Sequence, residues 1–166
     1  MESKIINEVL INNNIIQMDN LYDICKATIK IMIKNRIGSG FFIKIERNNK
    51  ILYCIMTNQH IIDSNMIKNK DELIIIYENE KKYLRIKLDK KERIIECFDD
   101  STKIDVVIIE IIKKDNIDDS YFLLPNLDYK MNESIINKEI QVLQYFGGKC
   151  LTLTMGQITG ISSEND

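Results

Sequence analysis

The chain has one histidine, one proline, six glycines and no tryptophan. A single histidine excludes any metal site built from several imidazoles. The four cysteines, Cys25, Cys54, Cys97 and Cys150, form no CxxC pair and no Cys/His cluster, so a zinc site is not expected. No stretch approaches the ~18 apolar residues of a membrane-spanning helix. The start, Met1-Glu2-Ser3-Lys4-Ile5, has no basic region followed by an apolar run, so no signal peptide is expected. A reducing, cytoplasmic location, with the cysteines as buried thiols, follows as an expectation. Charge of one sign is also lacking: 23 basic and 25 acidic side chains give a net −2. No basic stripe stands out, which leaves nucleic acid without an electrostatic footprint. The mixed-sign runs Glu80-Lys81-Lys82 and Asp89-Lys90-Lys91-Glu92-Arg93 read as solvated turns.

What is abundant is isoleucine, 34 of 166 residues. Its β-branched side chain is stiff at χ1 and packs well on a pleated surface, which favours strands. Hydrophobic residues at 45% and charged residues at 29% are ordinary for a globular protein of one domain, or one and a fraction.

Periodicity divides the chain. Ile5, Ile6, Val9 and Leu10 fall at helical spacing, so a short helix or a loose arm is expected between Ser3 and Met18. From Ala27 the period becomes two: Ile29, Ile31 and Ile33 alternate with Lys30, Met32 and Lys34, a strand with one buried face. Gly38 and Gly40 flank Ser39 where a turn is expected. Strands follow over Phe41–Glu46 and Ile51–Thr57, then a helical turn over Ile61–Asn65. Further strands are expected over Leu73–Tyr77, Tyr83–Leu88, Arg93–Phe98 and from Val106 to Ile112. Six or seven short strands with turns between them suggest a closed barrel or a sandwich. The polar connection from Asp115 to Asn137 holds the proline, Pro125, and suggests a crossing between subdomains. A second β unit then begins, with strands over Glu139–Phe146, Cys150–Met155 and Gly156–Ile161 around the turn Gly147-Gly148-Lys149.

Two apolar strands joined by the charged turn Glu46-Arg47-Asn48-Asn49-Lys50 lead to His60. The histidine stands where a largely apolar strand gives way to polar residues, at the rim of a sheet. With an ordinary pKa of ~6.5, this side chain type suits proton transfer near neutral pH. Asp105 opens a strongly apolar strand 45 positions later, where an unpartnered carboxylate would be costly. A carboxylate that accepts the Nδ1 proton of a histidine fixes its tautomer and stabilises its charged form. Asp99 and Asp100 are competing carboxylates, but they lack the apolar run behind them.

Gly38-Ser39-Gly40-Phe41, a hairpin, a strand ending Thr57-Asn58-Gln59-His60, and Asp105-Val106-Val107-Ile108-Ile109 together resemble the trypsin-like (chymotrypsin-fold) serine peptidases. Tyr145-Phe146-Gly147-Gly148 and Met155–Ile161 resemble the opening strands of that family's second barrel, with Phe146 in the place of a common proline. The resemblance covers roughly Cys25 to Ser163. It implies an all-β, trypsin-like double β-barrel with the first barrel complete, the second truncated, and a possible short N-terminal helix. The implied division is an arm at residues 1–22, a first barrel at 23–114, a connection at 115–137 and the start of a second barrel at 138–166.

The resemblance also implies peptide-bond hydrolysis by a Ser-His-Asp triad, with His60 as base and acid and Asp105 as its orienter. The family's nucleophile stands in a Gly-x-Ser-Gly turn, and none occurs here; Ser162 and Ser163 lack the glycines. Cys150 in Gly148-Lys149-Cys150-Leu151 is similar to cysteine variants of the fold but falls before the place of the nucleophile. A chain without that turn is expected to be inert as a peptidase by itself. No cofactor is implied. The expected partner is a polypeptide, as substrate or as a protein bound by a non-catalytic module; neither nucleic acid nor a membrane is expected.

Overall fold

The computed structural model describes residues 8–11, 14–47, 50–97, 104–125 and 136–160. Strand β1 (Glu8–Ile11) pairs with β2 (Asn14–Gln17) as an antiparallel hairpin, and helix α1 follows over Met18–Ala27. This corrects the helix expected between Ser3 and Met18. Ile5 and Ile6 lie outside the described residues, while Val9 and Leu10 pair with Ile16 and Ile15 across the hairpin, and the helix begins at Met18. The Thr28 hydroxyl donates to the Ile24 carbonyl at 2.7 Å and closes the last turn of α1.

Seven strands then form one antiparallel sheet: β3 (Thr28–Ile33), β4 (Arg36–Arg47), β5 (Lys50–Thr57), β6 (Glu72–Tyr77), β7 (Lys82–Lys87), β8 (Ile95–Cys97) and β9 (Val107–Glu110). Their order is β7-β6-β3-β4-β5-β9-β8. The two edge strands, β7 and β8, are consecutive in sequence, so the sheet curls until residues 88–94 join its edges. Backbone bonds continue the pairing through this joint: Leu88 N–H to Asp71 C=O at 3.0 Å, and Glu110 N–H to Ile94 C=O at 2.8 Å.

The alternation read from sequence holds in β3, where Ile29, Ile31 and Ile33 are buried and Lys30 and Met32 are only half-buried. Leu73, Ile75 and Tyr77 of β6, Val107 and Ile109 of β9, and Phe42 and Ile55 fill the same interior. One end is closed by Ile61 and Ile62 with Met66 and Ile67 of the short helix α2 (Ser64–Lys68). At the other, Phe42 meets Tyr77, Tyr121 and Phe122 with ring centroids 5.2–6.2 Å apart. Leu123 bonds backbone to backbone with Phe42 and Lys44, tying the long connection to β4.

Gly38-Ser39-Gly40 does not form a turn. It lies within β4, opposite Ile31, Lys30 and Ile29, and the turn falls at Lys34–Asn35. The glycines answer a need for close approach. A Cβ on Gly40 would stand 2.6 Å from Ile31 Cδ1 and 2.8 Å from the Met56 carbonyl oxygen. Gly40 and Phe41 are also where β4 pairs with β3 and β5 at once.

Beyond the connection, β10 (Glu139–Tyr145) and β11 (Leu151–Gln157) form a separate two-stranded sheet, with Gly147 and Gly148 at positive φ in the turn between them. Gly156 and Gln157 belong to β11 and do not open a third strand. The hairpin docks on β4: the Tyr145 N–H donates to the Ser39 hydroxyl at 2.8 Å, and Gly148 packs on Ile37 so closely that a Cβ would meet its Cγ2 at 2.6 Å. The architecture is all-β, a curled barrel-like sheet followed by a separate two-stranded sheet.

Candidate active site at the rim of the sheet

His60 lies in the turn between β5 and α2. Ile61 and Ile62 turn inward to plug the sheet, which leaves the preceding residue facing out; the His60 side chain is 66% exposed. The turn is held by the Asn58 carbonyl, which accepts the N–H groups of Ile61 and Ile62 at 3.1 and 3.3 Å. Downstream, Asp63 caps α2, its Oδ1 accepting the Met66 N–H at 2.9 Å.

Asp105 stands just before β9, which pairs with the end of β5 through Thr57 and Val107. This register brings it to His60. Its Oδ2 is 2.6 Å from His60 Nδ1, and its Oδ1 accepts the His60 backbone N–H at 2.9 Å. Asn58 Nδ2 donates to the Asp105 carbonyl at 3.0 Å and to Oδ2 at 3.2 Å. Partial desolvation pushes the Asp105 carboxyl up. The backbone and ring bonds from His60, the attraction of that ring and the Gln59 N–H outweigh it and hold the carboxyl below its ordinary range. An ionised carboxylate can only accept hydrogen bonds, so Nδ1 is the donor. The neutral ring is thereby fixed as the Nδ1–H tautomer. Its Nε2 lone pair points away from the carboxylate, with no hydrogen-bond partner among the described residues.

The pair is half open to water, with Asp105 49% exposed. Exposed ion pairs add little to stability, so three or more donors converging on this carboxylate do more for the orientation of His60 than for folding. The arrangement can take a proton at Nε2 and stabilise the resulting charge at Nδ1.

The structure thus brings together the two residues singled out from sequence. Asp99, Asp100, Ser162 and Ser163 lie outside the described residues. Cys150 sits at the exposed end of the β10–β11 turn, its Sγ 3.9 Å from Thr152 Oγ1, and shares no contact with the pair. Two further contributors stand beside the pair: Asn58, which the sequence shows only as part of a motif, and Asp63, which carries the sequence signal of a helix cap. Among the described residues no three His, Cys, Asp or Glu side chains converge on one point as metal ligands would, and no helix is long and apolar enough to cross a membrane. The cavity lined by Tyr53, Ile111, Ile117 and Phe122 includes neither member of the pair.

No family model matches the chain, and no curated protein matches it. Two solved structures do. One is the Rv3671c protease in an inactive form, with a TM-score of 0.54 at 17% identity over 88% of this chain and 60% of that one. The other is Rv3671c from M. tuberculosis H37Rv as a serine-to-alanine mutant, also inactive, with a TM-score of 0.51 at 17% identity over 88% and 59%. In fold, the chain is similar to both of these structures. It spans about 60% of the length of the solved chains it matches.

Proposed function

We propose that this chain carries the His-Asp half of a trypsin-like serine endopeptidase site. In this reading residues 23–114 are the first barrel and residues 138–166 the opening of the second. His60 takes the proton of an attacking hydroxyl at Nε2 and passes it to the leaving amine. Asp105 keeps the ring in the tautomer that exposes Nε2. The serine and the oxyanion donors are not among these residues. The observation that carries the reading is the 2.6 Å approach of Asp105 Oδ2 to His60 Nδ1, made where the ring is open to solvent.

The test is hydrolysis of an activated ester, p-nitrophenyl acetate, by the 166-residue chain and by His60→Ala and Asp105→Ala. Turnover that depends on both residues, without cleavage of casein, supports the reading. Turnover unchanged in Asp105→Ala contradicts it.

A second reading is a non-catalytic module that binds an extended polypeptide. It is favoured by the β10–β11 sheet, which has two strands among the described residues and exposes Ile140 and Val142, with Phe146 exposed in its turn. Strand edges of this kind accept an added strand. Peptide binding that persists in His60→Ala and is lost on Val142→Lys supports that reading.

A further inference from the structure

Arg36 is the first residue of β4, and its guanidinium reaches across to the His60 turn. Nη1 donates to the His60 carbonyl at 2.9 Å, and Nη2 stands 2.8 Å from Asp63 Oδ2. The other oxygen of Asp63 holds the Met66 N–H at the start of α2. One planar fork therefore bridges the residue in question and the cap of the helix that follows it.

We propose that Arg36 is a positioning residue for His60, acting on the peptide that leaves it. The inference rests on the reading of His60 as a base. Because the ring is largely exposed, packing does not lock its rotamer; polar bonds must. Asp105 restrains the N-terminal side of the residue through its amide and restrains the ring through Nδ1. With that carboxylate alone, residue 60 can pivot about it. Arg36 holds the carbonyl on the other side and removes the pivot. Asp63 completes the device in two ways. It fixes the fork in its plane, and it neutralises the guanidinium charge, which would otherwise oppose the imidazolium. Two parallel bonds to two acceptors require the guanidinium geometry, which a lysine does not supply.

The experiment is long-range ¹H–¹⁵N NMR of the His60 ring in the full chain, at a pH where the ring is neutral. His60 is the one histidine, so the assignment is unambiguous. The wild type shows a protonated Nδ1 and an unprotonated Nε2. Arg36→Ala moves the ring toward the tautomer mixture of free imidazole, with the Nδ1–H share falling about twofold or more. The urea midpoint stays near wild type, because the Arg36 bonds are partly exposed. Arg36→Lys restores the tautomer only in part. Should Arg36→Ala fail to fold, Asp63→Asn frees one arm of the fork, and a smaller shift in the same direction is expected. A wild-type tautomer in the folded Arg36 variant, or in Asp63→Asn where that variant stands in for it, overturns the inference. If Asp105→Asn changes the tautomer and Arg36→Ala does not, Arg36 is dismissed and the His60–Asp105 pair stands. If neither changes it, the pair itself fails as a tautomer-fixing device.

Discussion

Asp105 holds His60 twice with one carboxylate: Oδ1 accepts the backbone N–H at 2.9 Å while Oδ2 meets the ring Nδ1 at 2.6 Å. The two bonds fix both where the residue sits and which ring nitrogen carries the proton. A carboxylate kept only as a strand cap would need the first and not the second.

Acid should weaken the fold through the carboxylates of this rim. The Asp63 carboxyl is lowered first by the Met66 N–H, against partial desolvation, and then by Arg36; that of Asp105 is lowered as described. A carboxyl depressed in the folded state contributes stability above its unfolded pKa of ~3.9, and that contribution is lost as pH falls through the folded value. Urea midpoints measured from pH 6 downward should therefore hold steady and then drop in the acid range. Asp63→Asn should flatten part of that drop. A variant with the wild-type slope would contradict the assignment. Asp63→Ala should in addition lose the α2 cap, about 1 kcal/mol.

The joint that closes the curled sheet depends on a buried ion pair. Arg93 Nη1 and Nη2 face the two oxygens of Asp115 at 2.7 and 3.2 Å, and both side chains are at most 5% exposed. Nη1 also donates to the Glu110 carbonyl, and Asp115 Oδ2 accepts the Ile112 N–H. Removing one partner leaves a buried charge without compensation. Arg93→Met should destabilise the chain by roughly 3–5 kcal/mol in urea unfolding, with much of the loss recovered when Asp115→Leu is added. Equal losses in the single and double variants would show that the pair is not the cause.

The two glycines of β4 should behave differently. An alanine at Gly40 meets the backbone carbonyl of Met56 and the core methyl of Ile31, which gives it little room; about 1–3 kcal/mol of stability should be lost. For an alanine at Gly38 the nearest atoms are those of the Ile61 side chain, at 2.6 Å to Cγ1, rather than a backbone carbonyl. It should cost less in thermal unfolding and instead disturb the neighbouring His60 ring signals. A Gly40→Ala chain as stable as the wild type would contradict this account of the close approach.

Thiol reactivity should rank the cysteines. Burial, with a smaller effect from Glu110, pushes the Cys54 thiol up to about 12, so it is a protonated, poor nucleophile in the folded state. Burial also pushes up the Cys25 thiol, less strongly. Cys150 is exposed. With Ellman's reagent at neutral pH, Cys150 should react first, and Cys54 only at the rate at which the chain unfolds.

Much of this was legible because each signal was local. Alternating isoleucines announced β3, the strand over Ile51–Thr57 led to His60, and the apolar run behind Asp105 marked β9. The pairing of His60 with Asp105 was legible only through a family resemblance; the register of Thr57 with Val107 is what realises it. The hairpin of β1 and β2 is not legible because Val9 and Leu10, at helical spacing, also satisfy a strand. The glycines of β4 suggest a turn in sequence because composition does not distinguish a glycine that needs positive φ from one that makes room for Ile31 or Ile61. Arg36 was invisible because its partners, His60 and Asp63, lie 24 and 27 positions away, across a neighbouring strand.

The measurement that tests the central claim most directly is a double-mutant cycle on p-nitrophenyl acetate hydrolysis, with His60→Ala, Asp105→Ala and both together. If Asp105 acts through His60, the aspartate variant should lose about tenfold or more of the histidine-dependent rate, and the double variant should match His60→Ala. An aspartate variant with undiminished rate, or two losses that simply multiply, would contradict it.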